Sequence, residues 1–122
     1  MSEPTIKATF ELDESGSPAA VRAGDLDHYR IKLQVDGAPA DTYAVTYVLD
    51  PSYHSPVREV RNAEASFEER LTSYGDYTIQ AKIRGREGIT TIAVPLSKAL
   101  RESYNEKSSS AIIAALANII SR

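Results

Sequence analysis

The 122-residue chain contains no cysteine, which excludes disulfide bonds, thiol nucleophiles and thiolate metal sites. It also lacks a long apolar run, since the longest, residues 111–120, is about half of the ~20 residues that a membrane-spanning helix needs. The first four residues show neither the basic start nor the apolar stretch of a secretory signal. We therefore expect a cytoplasmic location and no membrane span.

Positive charge is not in excess. Lys and Arg number 14 against 17 Asp and Glu, and the net charge is −3. Such a chain has no general attraction to phosphate backbones or anionic lipid, so neither nucleic acid nor a membrane is an expected partner. Apolar residues make up 42% and charged residues 25%, which is typical of a globular domain with one hydrophobic core.

Apolar and polar residues alternate with the period of a β-strand in several segments. Residues 6–12, 29–35 and 77–84 each place one apolar face inward and one polar face toward water. Residues 43–49 are apolar on both faces, which is typical of a central strand. Shorter strands are predicted at residues 57–61 and 65–71, and a hairpin turn at residues 85–88 leads into residues 89–94. The pattern predicts an antiparallel β-sandwich.

The character of the chain changes after Pro95. Residues 97–105 contain few β-branched residues, and residues 108–110 offer N-cap serines for a helix that runs to Ser121. We therefore divide the chain into a sandwich domain, residues 1–96, and a helical extension, residues 97–122. The second helix carries an apolar stripe, formed by Ile112, Ile113, Leu116, Ile119 and Ile120. This stripe either docks on the sandwich or forms a homo-oligomer or partner interface.

Three motifs follow one another in the central part of the chain. A loop, Asp50-Pro51-Ser52-Tyr53, ends the central strand, a Pro-x-Arg-x-Val run begins at Pro56, and a turn spans residues 73–77, Ser-Tyr-Gly-Asp-Tyr. In this order the motifs resemble the central stretch of the YEATS domain family, and the chain is most similar to the prokaryotic YEATS-like domains. Residues 29–37 are similar to the first core strand of that family, with Ile31 where Trp is usual.

The resemblance implies an immunoglobulin-like sandwich, all-β apart from the helices, whose end loops bind a ligand. It implies a non-enzymatic recognition module, with no cofactor, for a flat acylated-lysine-like or other small or peptide ligand at loops 50–55 and 73–77. Tyr53 and Tyr74 would form the aromatic walls, and Ser52 and the backbone N–H of Tyr74 or Gly75 would hydrogen-bond the amide. Asp50, which replaces the family's His, and His54 would set the polarity of the site.

Each of these residues also has a purely structural interpretation. Tyr53 and Tyr74 would then cover the end of the core and hydrogen-bond a loop carbonyl, as a tyrosine corner does. Ser52 would be a turn former. The alternative function is a structural or adaptor protein that acts through its C-terminal helix.

Catalytic and metal-binding constellations are not expected. Asp50, Ser52 and His54 are the residue types of a hydrolase triad, but they lie within five positions and no nucleophile elbow surrounds Ser52. Residues 25–28, Asp-Leu-Asp-His, have no metal-site spacing and are interpreted as a solvated turn. Arginines and glutamates interleave between residues 58 and 87, which indicates a mixed solvated surface.

Overall fold

The architecture is that of a computed structural model, in which residues 3–104 and 108–121 are described. The strands are β1 Thr5–Phe10, β2 Ala20–Ala23, β3 Leu26–Asp36, β4 Ala44–Val48, β5 Val57–Val60, β6 Glu69–Ser73, β7 Thr78–Gly85 and β8 Gly88–Pro95. The helices are α1 Leu96–Ser103 and α2 Ser110–Ser121. No helix in the described ranges is long and apolar enough to cross a membrane.

The strands form two antiparallel sheets. In the first sheet, β1 and β2 pair with successive parts of one side of the long strand β3, and β6 pairs with its other side. In the second sheet the order is β5-β4-β7-β8, so β4 is a central strand as its two apolar faces predict. The predicted antiparallel sandwich with C-terminal helices is confirmed.

The core lies between the two sheets and follows the alternation of the sequence. Ile31 and Leu33 of β3 are fully buried, and they share one hydrophobic cluster with Ile79 and Ala81 of β7. Tyr47 of β4 is also fully buried, and its hydroxyl donates a hydrogen bond of 2.7 Å to the Phe67 carbonyl. A buried hydroxyl needs such an acceptor, because desolvation without a partner is costly.

Helix α1 covers the edge of the first sheet at β1. The Ser103 hydroxyl donates to the Ala8 carbonyl at 2.7 Å, and the Phe10 backbone N–H donates to the Tyr104 hydroxyl at 2.9 Å. These side chains occupy outward-facing backbone groups of an edge strand, which would otherwise be available for pairing with another chain. Leu96 and Leu100 are fully buried, so α1 belongs to the core cluster as well.

Helix α2 packs on the sandwich through part of its apolar stripe. Ile112 and Ile119 are buried, and the side-chain amide of Asn118 donates to the Tyr29 hydroxyl at 2.6 Å. Ile113 and Ile120 remain exposed. One side of the stripe therefore docks on the sandwich, as one of the two alternatives predicts. The domain boundary at residue 96 and an oligomer interface on the other side of the stripe stay predictions.

Three local predictions were wrong, and one strand was missed. Leu12 is exposed, because residues 11–19 leave the sheet in a turn closed by a bridge to Pro18. Residues 63–65 form a 3-10 turn, and β6 begins at Glu69, four residues later than predicted. Strand β2 was not predicted. Residues 25–28 are not one solvated turn, since β3 begins at Leu26 and contains His28.

Candidate functional site

A cavity of about 420 Å³ opens at one end of the sandwich. All six sequence-predicted site residues line it: Asp50, Ser52, Tyr53, His54, Tyr74 and Gly75. Five further residues complete the lining, namely His28, Thr72, Ser73, Asp76 and Tyr77. The two loops selected by resemblance, 50–55 and 73–77, are thus brought together around one space.

The first loop is held by its own turn chemistry. The Tyr53 backbone N–H donates to the Asp50 carbonyl at 3.1 Å, and the Ser52 backbone N–H donates to Asp50 Oδ1 at 2.9 Å. The first of these bonds closes the turn, while the hydrogen bonds from the backbone and side chain of Ser52 stabilise the carboxylate and lower the pKa of Asp50 below its ordinary value. The Asp50 carboxylate is therefore ionised at neutral pH and lies in the lining of the cavity.

Tyr53 connects the first loop to strand β6. Its hydroxyl donates to the Thr72 carbonyl at 2.7 Å and accepts a hydrogen bond of 3.1 Å from the Tyr77 hydroxyl. The rings of Tyr53 and Tyr77 meet edge to face, with centroids 5.7 Å apart. Burial raises the pKa of both phenols. The hydrogen bond to a backbone carbonyl matches the structural interpretation of Tyr53, and its position on the cavity leaves a ligand role open.

Arg58 of β5 fixes the same loop from outside the cavity. Its Nε donates to the Ser55 carbonyl at 2.9 Å, and its Nη1 donates to the Arg70 carbonyl at 2.9 Å. The guanidinium carbon lies 5.6 Å from the centroid of the Tyr53 ring, within the range of a cation–π contact. Arg58 therefore ties loop 50–55 and the Tyr53 ring to the edge of the first sheet.

The second loop is held by Ser73 and Asp76. The Ser73 hydroxyl donates to the Gly75 carbonyl at 2.7 Å, which closes a tight turn under Tyr74. The Asp76 carboxylate accepts hydrogen bonds from the backbone N–H and the hydroxyl of Ser97, at 2.9 and 2.7 Å. Ser97 lies in the first turn of α1, where free N–H groups favour a carboxylate. Helix α1 thus supports the loop.

Tyr74 differs from Tyr53 in its surroundings. Its side chain is 46% exposed, and its ring contacts the His28 ring with centroids 5.1 Å apart. Within residues 3–104 and 108–121, the Tyr74 hydroxyl makes no hydrogen bond and the Tyr53 and Tyr74 rings are not in contact with each other. The tyrosine-corner interpretation therefore fits Tyr53 and does not fit Tyr74.

The cavity combines aromatic surface with negative charge. Tyr53, Tyr74 and Tyr77 supply ring faces and edges, and Asp50 and Asp76 supply two carboxylates, while no lysine or arginine within residues 3–104 and 108–121 lines it. The described residues contain no group of three or more His, Asp or Glu side chains arranged to hold a metal ion. Such a space suits a flat or cationic group better than an anionic one.

The lining residues that the prediction missed have two different origins. Ser73, Asp76 and Tyr77 lie inside the turn motif itself and Thr72 directly precedes it, so the motif already marked their position. His28 lies on β3 next to the buried Tyr29, where alternation assigns it only to a solvated face. Its proximity to Tyr74 depends on the pairing of β3 with β6, in which Tyr29 is opposite Ser73. No signal in the sequence marked that pairing.

Comparison with known proteins gives one family and one fold. The family model of the prokaryotic YEATS domain matches residues 29–96. A crystal structure of the yeast AF-9 homolog protein Yaf9 matches with a TM-score of 0.55 at 22% identity, covering 80% of this chain and 66% of that one. No curated protein matches the chain.

Two further similar structures contain the Yaf9 YEATS domain. One is described as recognising an H3K122suc peptide, with a TM-score of 0.56, 17% identity, and coverage of 98% of this chain and 96% of that one. The other is described as bound to H3K27ac, with a TM-score of 0.54, 19% identity, and coverage of 88% and 80%. At these identities the likeness shows a shared fold.

Proposed function

Because this chain belongs to the prokaryotic YEATS domain family, we propose that it is a non-enzymatic recognition module whose end-loop cavity binds an acylated-lysine-like or similar flat group of a peptide. YEATS domains are reader modules, and the similar Yaf9 structures are described with an H3K122suc peptide and with H3K27ac. The proposal carries the type of activity to this chain and leaves the identity of the peptide open.

One observation carries the proposal. The two loops that the family resemblance selects lie far apart in the sequence, yet both line a single cavity of about 420 Å³. That volume lies within the range of small-molecule sites, which are mostly apolar with a few fixed polar groups. Here Tyr53 and Tyr74 are the aromatic surfaces, and the Ser52 side chain and the Gly75 backbone are the polar groups that we propose orient the amide.

The charge of the cavity restricts the acyl group. Asp50 is held in its ionised form, and none of the described residues that line the cavity is a lysine or an arginine. A carboxylate at the end of an acyl chain would be repelled by the like charge of Asp50. We therefore propose that this domain prefers an uncharged acyl group, such as acetyl, over a succinyl group, and that a Lys-rich peptide is a suitable carrier.

Tyr74→Ala tests the site. In ¹⁵N NMR titrations, an acetyl-lysine peptide should shift the amide signals of loops 50–55 and 73–77 in the wild type, and this binding should be lost in the variant. The fold should persist, because the exposed Tyr74 ring contributes little buried surface. Tyr43→Ala is the matched control, since Tyr43 is 50% exposed and lies outside the lining of the cavity.

Two results would contradict the proposal. If neither acetyl-lysine nor succinyl-lysine peptides move the loop signals, the acyl-lysine reader is wrong. If Tyr74→Ala and Tyr43→Ala reduce binding equally, the ligand does not use the end-loop cavity. A succinyl peptide that binds more tightly than the acetyl peptide would refute only the proposed role of Asp50 in selecting an uncharged acyl group.

The alternative function, an adaptor that acts through the C-terminal helix, rests on Ile113 and Ile120. Their side chains are 46% and 50% exposed, and they lie two turns apart on α2. A homotypic interface there predicts that Ile113→Ser together with Ile120→Ser lowers the mass measured in solution. An unchanged monomer mass in both proteins would remove the oligomer version of this hypothesis.

A further inference from the structure

A second groove lies beside the end-loop cavity, lined by residues of β3, β5 and β6 and of the segment between β1 and β2. Its volume is about 530 Å³, and its lining includes one arginine from each of three strands: Arg30 of β3, Arg58 of β5 and Arg70 of β6. Among the described residues that line the groove, Glu11 is the one acidic residue. We refer to this surface as the arginine groove.

The positive charge of the arginine groove is only partly neutralised. Arg70 lies 3.3 Å from Glu11 and 3.4 Å from Glu68. Arg58 donates to two backbone carbonyls, which accept hydrogen bonds without cancelling its charge. In the part of the chain that the structure describes, no ion pair engages Arg58 or Arg30, and Arg30 is exposed.

A guanidinium group with free donors favours anions of a particular shape. Its planar fork can give two parallel hydrogen bonds to a carboxylate or phosphate, and such charge-assisted bonds are stronger than neutral ones. Arg30 supplies the free donors, and the neighbouring charges of Arg58 and Arg70 add to the local positive potential. The groove therefore suits a single carboxylate or phosphate group.

The arginine groove and the end-loop cavity are adjacent. Thr72 lines both, and Arg58, which lines the groove, also lies against the Tyr53 ring of the cavity wall. The cavity carries the carboxylates of Asp50 and Asp76, whereas the groove carries an excess of guanidinium groups. A peptide with an anionic group a short distance from its lysine would complement both signs of charge.

We propose that the arginine groove is a second subsite, which binds a carboxylate or phosphate group of the same peptide whose acylated lysine occupies the end-loop cavity. Binding of the anion stands by itself, while its assignment to the same peptide rests on the function proposed above. A polyanion such as nucleic acid fits less well, because Glu11 lies in the groove and the net charge of the chain is −3.

The anion subsite is tested first with inorganic phosphate. Sodium phosphate, compared with sodium chloride at equal ionic strength, should produce saturable shifts of the Arg30 and Arg58 Nε–Hε signals in ¹⁵N NMR. Arg30→Gln should weaken phosphate binding about fivefold, the effect of one exposed charge contact. Arg86→Gln removes the same charge outside the groove and should leave binding unchanged. Shifts that do not saturate, or an equal effect of both variants, would overturn the subsite.

The link to the peptide needs a second pair of measurements. Two acetyl-lysine peptides that differ only in Glu or Gln near the lysine should bind with different affinities, the Glu peptide more tightly. Arg30→Gln should abolish this difference, and Arg86→Gln should keep it. Equal affinities of the two peptides for the wild type would refute the assignment of the anion to the same peptide. Tighter binding of a short single-stranded oligonucleotide in the groove than of either peptide would also refute it.

The outcomes separate this inference from the proposed function. Saturable phosphate binding at Arg30 without any peptide-induced shift in loops 50–55 and 73–77 would support the subsite and refute the acyl-lysine proposal. Peptide-induced shifts in those loops without saturable phosphate binding would support the acyl-lysine proposal and refute the anion subsite.

Discussion

Tyr53→Phe separates the structural contribution of Tyr53 from its proposed contact with ligand. The substitution removes one hydroxyl and keeps the aromatic ring. In the wild type this hydroxyl donates to the Thr72 carbonyl at 2.7 Å and accepts from the Tyr77 hydroxyl at 3.1 Å. The variant therefore loses two hydrogen bonds that join the first loop to β6 and to the residue preceding β7, while the surface offered to a flat group is retained.

The expected loss of stability follows from those two bonds. A neutral hydrogen bond contributes about 1 kcal/mol net, and Thr72 O and the Tyr77 hydroxyl would each lose a partner in a partly buried site. We expect the free energy of unfolding to fall by about 2 kcal/mol. For a chain of this length the entropy of unfolding converts this loss to a decrease of about 8 °C in Tm.

Urea unfolding measures this loss, and peptide titration measures the ligand contact. Tyr53→Phe should shift the urea midpoint without changing the slope, and the affinity for an acetyl-lysine peptide should stay within about threefold. Tyr77→Phe and the double variant complete a cycle in which the hydroxyl pair should show a coupling energy of about 1 kcal/mol. A variant as stable as the wild type would refute the structural role, and one that is stable but does not bind would show that the hydroxyl contacts the ligand.

Three further predictions concern the supports of the site and the core. Asp76→Ala removes the acceptor of both Ser97 hydrogen bonds and should lower the free energy of unfolding by about 1 kcal/mol, the usual value of a helix cap. An unchanged urea midpoint would disprove this. Asn118→Ala should cost about 1 kcal/mol by the same assay, because the Tyr29 hydroxyl loses its donor; no loss would mean that α2 is held by apolar contacts alone. Burial raises the pKa of Tyr47 above the ordinary 10.0, so its contribution to stability is present below pH 10 and is lost as the pH rises above it. The tyrosinate absorbance of Tyr47 should then appear only together with unfolding, and ionisation of all seven tyrosines in a folded protein near pH 10 would contradict this.

Periodicity predicted the strands whose two faces differ. In β3, residues from Tyr29 to Val35 alternate between buried and accessible positions, because one face meets the second sheet and the other meets water. Periodicity could not predict strand β2, because all four of its residues are exposed and its strand character comes only from pairing with β3. A pattern of burial cannot mark a strand that buries nothing.

Backbone conformation explains the error at residues 65–71. Phe67 is buried, so its side chain looks like that of a strand residue facing the core. Ser66 and Phe67 nevertheless have φ values of 54° and 57°, which end the 3-10 turn in the left-handed region. Serine and phenylalanine do not favour that region, so residue preferences do not predict this left-handed conformation. The buried ring and the Tyr47 hydrogen bond to the Phe67 carbonyl hold the segment there instead.

The candidate site was predictable to the level of its loops. The motifs around Asp50 and Gly75 located both loops, but the contacts that join them connect residues 19 to 24 positions apart, as in the bonds from Tyr53 to Thr72 and from Tyr77 to Tyr53. The charges of the arginine groove are even less visible in the sequence, because they come from three strands that become neighbours only in the folded sheets. Resemblance locates motifs, and the sandwich determines which of them meet.

The two proposed aromatic walls are not equivalent, and this difference decides how a ligand would be held. Tyr53 is fixed before binding by two hydrogen bonds, by the edge of Tyr77 and by the guanidinium of Arg58. Tyr74 contacts His28 and is otherwise half exposed, so a ligand that covers it must also order it, at a cost of about 0.5–1.5 kcal/mol for one side chain. Substitutions at Tyr53 should therefore act mainly through stability, and substitutions at Tyr74 mainly through affinity. An anion held by Arg30 would act on neither wall directly, but it would add affinity from β3, a strand that is paired on both sides.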